Sequence, residues 1–355
     1  MHATSATTPY LSLFARVEDF RREHLDEELY VKRNLGKIRY VRTTVYVLPK
    51  DVIPTAFAAT RMMAEPASQA YSKFLGITVK QYEEASESIM EILKGKKGMT
   101  TKLIKRALGT PLNISPIVNL MCDQGLLVRG EPAKGWKSNI HTYYLFSEYF
   151  PDIKSRETSE EDAREAVVRQ YLASFGPVTE NDVSWWTGFP IGQIKQILEE
   201  LRGEITYIDV SDSNKTFLAL SRDEISLKYT KIAEKYVVNI LPSLDPYMMG
   251  FKDRERYLNQ EHYDFIFNRS GNATSTILID GRVVGIWDFS ESKEPMVKLF
   301  LFKKAKKEVL GETHLNARRV GRFIADKEVK IRECDSMVPL TQRTAGGVMS
   351  PLRGC

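Results

Sequence analysis

The stretch TENDVSWWTGFPIGQIKQILEELRGEITYIDVSDSNKTFLAL, from Thr179 to Leu220, decides the fold. Apolar residues at helical spacing predict a short helix over residues 182–186 and a longer one over residues 190–201, with Gly188 between them. β-branched and aromatic runs on both sides of a polar turn, residues 211–215, predict two strands. Helix, glycine turn, helix and hairpin, in this order, are typical of a winged helix, a fold that usually binds nucleic acid.

Two further parts of the chain show the same order of elements, although their sequences are not alike. Residues 78–150 are the most regular. Three predicted helices, of which Thr100 and Ser115 cap the second and third, precede two strands around a lysine-bearing tip. Residues 1–77 hold two predicted helices, the run IRYVRTTVYVL that predicts one strand over residues 38–48, and a helical connector. Residues 1–77, 78–150 and 158–222 therefore make three tandem winged-helix units. The first of these units lacks its usual opening helix.

The pattern changes after residue 222. Strand-like runs, among them residues 265–267, a strong hairpin turn at Asp280-Gly281 and a helix over residues 304–323 predict a β-rich domain over residues 235–335. Residues 336–355 contain little that could order them, and we expect a flexible tail. The fold class is therefore α+β, with helix-rich units first and a β-rich domain last.

The composition is that of a globular protein. Hydrophobic residues make up 43% of the chain and charged residues 27%, and the net charge of +5 is compatible with nucleic acid as a partner. No apolar run approaches the roughly 18 residues of a membrane span, and no signal peptide is evident. Cys122, Cys334 and Cys355 form no CxxC pair and the five histidines are scattered, so we expect free thiols, no metal and no cofactor. We also expect a cytoplasmic, nucleoid-associated monomer.

The candidate nucleic-acid contacts are basic residues of the middle unit. Basic side chains on a helix-turn-helix and its wing would neutralise phosphates without reading the base sequence. The alternative is a solvated, lysine-rich face. The residues that we expect to contact DNA are Lys96, Lys97, Lys102 and Lys105 around the second helix, and Lys134 and Lys137 on the wing.

Three other features each have two interpretations. Trp185 and Trp186 could stack on bases, but such a pair at a helix end more often packs in the core. Asp245 could be catalytic, but an aspartate before proline more commonly stabilises a turn. The lysines of residues 303–307 lead into a basic helix, which is either a second contact surface or an exposed helix face.

Four segments resemble the AlkZ/YcaQ-like family of winged-helix DNA glycosylases, which repair alkylated and interstrand-crosslinked DNA. In order, they are RYVRTTVYVLPKD (residues 39–51), DVSWWTG (182–188), LPSLDPYMMGFKDR (241–254) and ILIDGRVVGIW (277–287). Their order and spacing match the family across most of the chain, which is far more specific than a lone helix-turn-helix. The resemblance implies tandem winged helices followed by a β-barrel-like domain, arranged as a C-shaped clamp around duplex DNA.

The resemblance also implies where the chemistry lies. The family's catalytic signature, Gln-x-Gln or Gln-x-Asp, precedes the segment that corresponds to residues 10–17, and its side chains position the water that attacks C1′ of the sugar. An ungapped alignment places the signature on His2-Ala3-Thr4. Histidine can donate, accept or take a proton, so we expect His2 to be catalytic, with Thr4 as weaker support. The competing interpretation is that both are disordered terminal residues. Arg42 and Thr43, on the first wing, are expected DNA or site contacts.

These expectations describe a DNA glycosylase that hydrolyses the N-glycosidic bond of an alkylated base, such as an N7-alkylguanine, or of a crosslinked base. The target base would be flipped out of the duplex or, if bulky, left in the stack. Because the glutamines are absent, the alternative is a non-catalytic winged-helix DNA-binding protein or regulator. A protein-interaction scaffold is a third hypothesis, since winged helices also serve that role.

Overall fold

The computed structural model describes residues 1–153, 158–210, 214–231 and 235–342. The chain divides into two compact units: Met1–Pro9 with Arg21–Glu224, and Tyr10–Phe20 with the chain from Ile225 onward. We call these the first unit and the second unit. Helix α1 (Thr8–Phe14) begins in the first unit and ends in the second. The chain therefore passes between the units three times along its length.

The first unit is mainly helical, with strands that form two sheets. Helix α2 continues directly into one π-helical turn, Glu27–Val31. The helices are α2 (Arg22–Asp26), α3 (Ile53–Phe74), α4 (Val79–Leu93), α5 (Thr101–Leu108), α6 (Ser115–Asp123), α7 (Phe146–Tyr149), α8 (Glu160–Phe175), α9 (Glu180–Thr187) and α10 (Ile191–Glu200). The strands are β1 (Leu35–Arg39), β2 (Val45–Pro49), β3 (Met99–Thr100), β4 (Leu127–Pro132), β5 (His141–Leu145), β6 (Ile205–Asp209) and β7 (Thr216–Leu220).

The run predicted as one strand over residues 38–48 is a hairpin. β1 and β2 pair antiparallel, with Ile38 opposite Tyr46, and the chain reverses at Arg42 and Thr43. Both turn residues have a φ of 54°, in the left-handed region that favours glycine. Because the reversal contains no glycine, proline or asparagine, the sequence carries no turn signal. The prediction of a single strand is therefore wrong.

The first hairpin is part of a five-stranded sheet with the order β2-β1-β4-β5-β3. The neighbours β1 and β4 pair through Lys37 and Arg129. This pairing joins the hairpin of residues 1–77 to the hairpin of residues 78–150 in one sheet. One sheet therefore carries both the N-terminal segment and the lysine-bearing tip.

The helices of residues 78–123 enclose an apolar core. Thr100 caps α5 as predicted, because its hydroxyl accepts a hydrogen bond from the amide of Leu103 at 3.3 Å. Ser115 does not cap α6: it is the first helical residue, and Ile114 takes the cap position without a side-chain hydrogen bond. Burial of large aliphatic side chains stabilises this packing. The most buried of them include Ile89, Leu93, Ile104, Ile117, Val118 and Met121.

The stretch of residues 179–220 has the predicted elements. α9 ends at Gly188, whose φ of 78° closes the helix in the left-handed conformation. Thr179 and Asp182 cap the start of α9 reciprocally, through backbone-to-side-chain hydrogen bonds of 3.1 and 3.0 Å. β6 and β7 form a separate two-stranded antiparallel hairpin. Residues 211–213 of the predicted turn lie outside the described residues.

The second unit combines one sheet with a long helix. Its helices, besides the end of α1, are α11 (Glu224–Tyr229), which starts at the boundary, α12 (Pro246–Met249), α13 (Tyr263–Ile266) and α14 (Lys307–Ala325). Its strands are β8 (Val238–Leu241), β9 (Thr276–Ile279), β10 (Arg282–Ser290), β11 (Met296–Leu301) and β12 (Lys330–Glu333). Of the predicted tail, residues 336–342 are described, and Met337 and Leu340 are buried.

The β-barrel-like domain implied by the family is instead an open sheet. Its order is β12-β11-β10-β9-β8, and within the described ranges no pairing closes β12 onto β8. Residues 265–267, predicted as a strand, lie mostly in α13 and add no strand to the sheet. α14 packs on both edge strands, so a helix covers the sheet. The fold class remains α+β.

A buried ion pair holds the segment Tyr10–Phe20 in the second unit. The carboxylate of Asp245 is fully buried, and the guanidinium of Arg16 donates to its two oxygens at 2.7 and 2.8 Å. Ser12 Oγ donates to the same carboxylate at 2.9 Å. The amide of Tyr247 donates to it at 3.0 Å, at the start of α12. Asp245 therefore stabilises a turn, as predicted, and also forms a charge-assisted bidentate pair with Arg16.

The cysteines differ from one another in chemical state. Cys122 is free and buried, whereas Cys334 takes part in a disulfide bond, contrary to the expectation of free thiols. Sequence spacing could not indicate this bond, because disulfide formation depends on the distance between Cα atoms in the folded chain. Within the described ranges, none of the helices combines the length and apolar character that a membrane crossing needs.

Candidate active site and nucleic-acid interface

The N-terminal segment lies along the outer edge of β2. The amide of Ala3 donates to the carbonyl of Val45 at 2.7 Å, the amide of Val47 donates to the carbonyl of Met1 at 2.8 Å, and His2 forms a β-bridge with Tyr46. His2 is only 5% exposed. Residues 1–3 therefore extend the sheet by a short strand, and the interpretation of His2 as a disordered terminal residue does not agree with these contacts.

A second contact ties this segment to the neighbouring wing. The amide of Ala6 donates to Asn139 Oδ1 at 2.8 Å. Asn139 belongs to the tip between β4 and β5, the same tip that carries Lys134 and Lys137. The structure thus brings the predicted catalytic segment and the predicted wing of the middle unit together. Sequence reasoning missed Asn139, because an asparagine in a polar loop carries no signal for a contact 133 residues away.

His2 is held as a neutral imidazole. Burial, and then the positive charges of the Met1 amino group and of Arg42, lower the pKa of His2 to about 4. Its Nδ1 accepts a hydrogen bond from the amide of Thr4 at 3.4 Å. Since Nδ1 accepts, the neutral ring carries its proton on Nε2, which is then a donor. Thr4 itself is exposed on the same segment.

Three aromatic rings surround the His2 bridge. The ring of Tyr46 lies 5.4 Å from the His2 ring, and Tyr40 and Trp186 lie 5.6 and 6.2 Å from Tyr46. Burial raises the pKa of Tyr46 to about 12 and also raises the pKa of Tyr40. The Tyr40 hydroxyl is buried and has no hydrogen-bond partner in the described part of the chain. Such an unsatisfied group is costly in a finished core, so it marks a place where a ligand or water can bind.

The two tryptophans have different environments. Trp186 is 8% exposed and packs against Tyr171 with ring centroids 4.8 Å apart, which confirms its core interpretation. Trp185 is half-buried, and the guanidinium of Arg42 lies 4.0 Å from the centroid of its ring. This is a cation–π contact of the kind that holds an arginine in a defined position.

The turn that carries Arg42 is conformationally strained. Arg42 and Thr43 both adopt the left-handed conformation, which costs free energy in residues other than glycine. The turn lies against the end of α9, where a Cβ added to Gly188 would be 3.6 Å from Arg42 Cγ. Strained residues of this kind concentrate at functional sites. Arg42 is close enough to His2 for its positive charge to lower the pKa of that imidazole.

The predicted lysine contacts fall into two groups. Lys134 is exposed and Lys137 is half-buried beside Trp136, at the tip of the β4–β5 hairpin. The other lysines precede or lie in α5, next to β3, and Lys105 donates to the carbonyl of Pro111 at 3.1 Å. β2 and β3 are opposite edges of one five-stranded sheet. β3 is four strand spacings, about 19 Å, from β2 beside the His2 segment, but it lies directly next to β5, one strand of the hairpin that carries the first group. The members of the second group are Lys96, Lys97, Lys102 and Lys105.

No metal-binding cluster of three or more His, Cys, Asp or Glu side chains occurs in the part of the chain that the structure describes. The polar groups of the candidate site are instead the His2 imidazole, the Thr4 hydroxyl, the Tyr40 and Tyr46 hydroxyls and the Arg42 guanidinium. The two tyrosines were not among the predicted site residues. In the sequence, both tyrosines lie in a run in which apolar and polar residues alternate. Because this run predicts one continuous strand, it did not indicate that the two side chains meet across a hairpin.

Comparisons with known proteins identify the family of this chain. A family model described as DNA glycosylase AlkZ-like matches residues 1–318. An interstrand DNA cross-link repair glycosylase of Streptomyces sahachiroi is 24% identical over 292 residues, which cover 77% of this chain and 75% of that protein. The solved structure of the Streptomyces sahachiroi DNA glycosylase AlkZ matches the fold with a TM-score of 0.74 at 19% identity, covering 94% of this chain and 90% of that one. Because the family model spans most of the chain, this protein belongs to the AlkZ-like family of DNA glycosylases.

Proposed function

We propose that this chain binds damaged duplex DNA and hydrolyses the N-glycosidic bond of an alkylated purine of the N7-alkylguanine type. Alkylation at N7 gives the base a positive charge and makes it a good leaving group. The protein then needs only to stabilise an oxocarbenium-like sugar and to deliver water. The observation that carries this proposal is the buried His2, bridged to β2, which the ungapped alignment with the family signature places at the first catalytic glutamine.

His2 acts through hydrogen bonds rather than as a strong base. At pH 7 the ring is neutral, since its pKa is lowered to about 4, and Nε2–H is its free donor. Such a donor can hold the attacking water or the deoxyribose oxygen. The exposed hydroxyl of Thr4, on the same segment, can accept a hydrogen bond from that water. A cationic leaving group makes a strong base unnecessary.

The DNA contacts in this proposal come from three places. The Arg42–Thr43 turn contacts the strand beside the lesion, and its guanidinium is already oriented by Trp185. Lys134 and Lys137 hold phosphates at the wing tip. The lysines around α5, next to the β3 edge of the same sheet, hold further phosphates. We further propose that the three helix-rich parts act as tandem winged helices in a C-shaped clamp, in a cytoplasmic, nucleoid-associated monomer.

A direct experiment tests the proposal. The purified chain is incubated with a duplex that contains N7-methylguanine, and released base is measured by chromatography. Release above the spontaneous rate is expected from the wild type. Binding of the duplex without any release would overturn the enzymatic claim. An unmodified duplex of the same sequence is the control for nonspecific depurination.

Crosslinked bases are the second substrate class to test. The Streptomyces sahachiroi relative is described as an interstrand cross-link repair glycosylase, and a crosslink made through N7 of guanine leaves the same cationic base. A duplex joined by an N7 crosslink should therefore be unhooked into separable strands on a denaturing gel. Release of N7-methylguanine without unhooking would restrict the substrate to simple alkylated bases.

The second candidate function is a non-catalytic DNA-binding protein. The observation in its favour is that histidine and threonine stand where the family signature has Gln-x-Gln or Gln-x-Asp. This candidate predicts tight duplex binding, no base release, and a preferred base sequence in a selection experiment. The base-release measurement above separates the two functions.

A further inference from the structure

The second unit contains a cavity of about 300 Å³ that the proposed reaction does not use. Its walls are largely apolar and include Ile279, Val283, Leu301 and Val309. Its volume is at the lower end of the range for small-molecule sites, so it suits one flat ring system rather than a large ligand.

Aromatic side chains contribute to the lining of this cavity. Tyr236 is 46% exposed there. Phe302 also lines the cavity, and the ring of His262 stacks on it with centroids 4.0 Å apart and an interplanar angle of 16°. Aromatic rings beside an apolar cavity are the usual partners of an unpaired nucleobase, since every base has a π-face.

The same cavity carries a concentrated positive charge. Lys303, Lys304 and Lys306 line it, and Lys307 follows at the start of α14. Lys303 Nζ lies 3.8 Å from Glu261, and Lys306 Nζ is 3.4 Å from the hydroxyl of Tyr236. Within the described ranges, no carboxylate forms an ion pair with Lys304, Lys306 or Lys307. No side chain caps α14, so its first-turn amides add partial positive charge beside the lysines.

We infer that this cavity binds one nucleotide of a single DNA strand. The base enters the apolar cavity and contacts Tyr236 and Phe302, while Lys304 and Lys306 bind the adjacent phosphates. A paired base cannot enter, because both its faces are already stacked in the duplex. Four lysines in residues 303–307 carry more charge than one phosphate needs, which favours a strand with successive phosphates over a free mononucleotide. This inference goes beyond the proposed glycosylase reaction and does not depend on it.

The test measures binding of a fluorescently labelled single-stranded oligothymidylate to the full chain by anisotropy, at several salt concentrations. Tyr236→Ala should weaken binding by about 5- to 150-fold, because it removes one stacking ring. Tyr236→Phe, which keeps the ring, should retain most of the affinity. The double variant Lys304→Ala/Lys306→Ala should reduce the slope of log affinity against log salt by about 1.4.

Matched controls make the outcome decisive. Lys293→Ala, at an exposed lysine in the loop between β10 and β11, should leave single-strand affinity unchanged. Circular dichroism and base release should be the same in every variant, which separates this site from the proposed active site. Wild-type affinity in Tyr236→Ala and the lysine double variant would overturn the inference. Binding of free dTMP with no binding of the strand would overturn the assignment to a DNA strand.

Discussion

His2 is the residue whose replacement should separate DNA binding from catalysis. His2→Ala removes the only imidazole on the β2 edge segment while leaving the backbone pairing of Ala3 and Val47 intact. We expect the rate of N7-methylguanine release under single-turnover conditions to fall by about 100-fold or more. Duplex affinity should remain within about twofold, because no phosphate contact is lost.

The matched variant is His2→Gln, which restores the first residue of the family signature. Its amide can donate and accept hydrogen bonds without any charge. It should therefore retain more activity than His2→Ala. Equal and full activity in both variants would show that His2 has no part in the reaction.

The lowered pKa of His2 has a consequence for stability. Because the folded-state pKa is about 4 and the unfolded value is 6.5, the unfolded chain binds the additional proton between these two pH values. The contribution of His2 to the free energy of unfolding is therefore fully present above pH 6.5 and decreases as the pH falls to 4. The loss due to His2 is about 3 kcal/mol at pH 4.

Urea denaturation at pH 7 and pH 4.5 measures this effect. His2→Gln should lose less stability than the wild type over this interval. The comparison isolates His2, since His141, whose pKa burial lowers to about 3, is present in both chains. An identical pH dependence in the two proteins would contradict the lowered pKa of His2.

At the scale of elements, the tip of the β4–β5 hairpin should supply phosphate contacts. The double variant Lys134→Ala/Lys137→Ala removes two positive charges next to the Asn139 contact with the His2 segment. The slope of log affinity against log salt for duplex DNA should decrease by about 1.8. Lys195→Ala is the control, because Lys195 is exposed on α10 beside Glu199 and should contact no phosphate. If Lys195→Ala changed this slope by as much per charge removed, the effect would be one of net charge rather than of phosphate contacts at the tip.

The junction between α9 and α10 gives a second prediction at this scale. Gly188→Ala should lower the free energy of unfolding by about 1 kcal/mol, because alanine is disfavoured at the φ of 78° found there. Gly192→Ala, in α10 with open space around its Cα, should instead raise it by about 0.5 kcal/mol. Urea denaturation of the two variants tests both signs. Destabilisation by both substitutions would remove the conformational explanation for Gly188.

Part of this architecture is readable from local sequence. The helices and hairpin of residues 179–220 follow from periodicity, and the start of α5 follows from its capping residue Thr100, because these signals act within a few residues. The Arg42–Thr43 turn was not predictable, since its left-handed residues are not turn formers and long-range packing holds them in place. The pairing of Lys37 with Arg129 was equally hidden, because it depends on strand partners far apart in the chain.

In the candidate site too, local sequence did not indicate the residues whose roles depend on long-range contacts. His2 and Thr4 were found only through the resemblance to a family, because no local pattern distinguishes them from other terminal residues. Tyr40, Tyr46 and Asn139 were missed, since their roles arise from burial and from contacts across the sheet. The open sheet of the second unit was also missed, because an expectation based on family likeness does not specify which strand edges pair.

At the scale of the whole molecule, the second unit should not fold from its C-terminal sequence alone. A fragment of residues 225–342 lacks Arg16 and Ser12, and leaves the buried carboxylate of Asp245 without its ionic partner. An uncompensated buried charge costs about 3–5 kcal/mol. We expect this fragment to show no cooperative thermal transition, and a peptide of residues 10–20 added in trans to restore one. A peptide with Arg16→Ala is the control and should restore less. Cooperative unfolding of the fragment alone would contradict the prediction.

The Arg16–Asp245 pair also orders events during synthesis on the ribosome. Arg16 is synthesised first, and Asp245 is 229 residues further along the chain. At ordinary elongation rates, about 11 to 46 seconds pass before the carboxylate is made. During that interval Arg16 and neighbouring apolar residues, such as Phe14, lack the contacts that they make with later parts of the chain. Nascent chains stalled before Asp245 should therefore be more easily cleaved by protease within residues 10–20 than chains stalled after the second unit is complete.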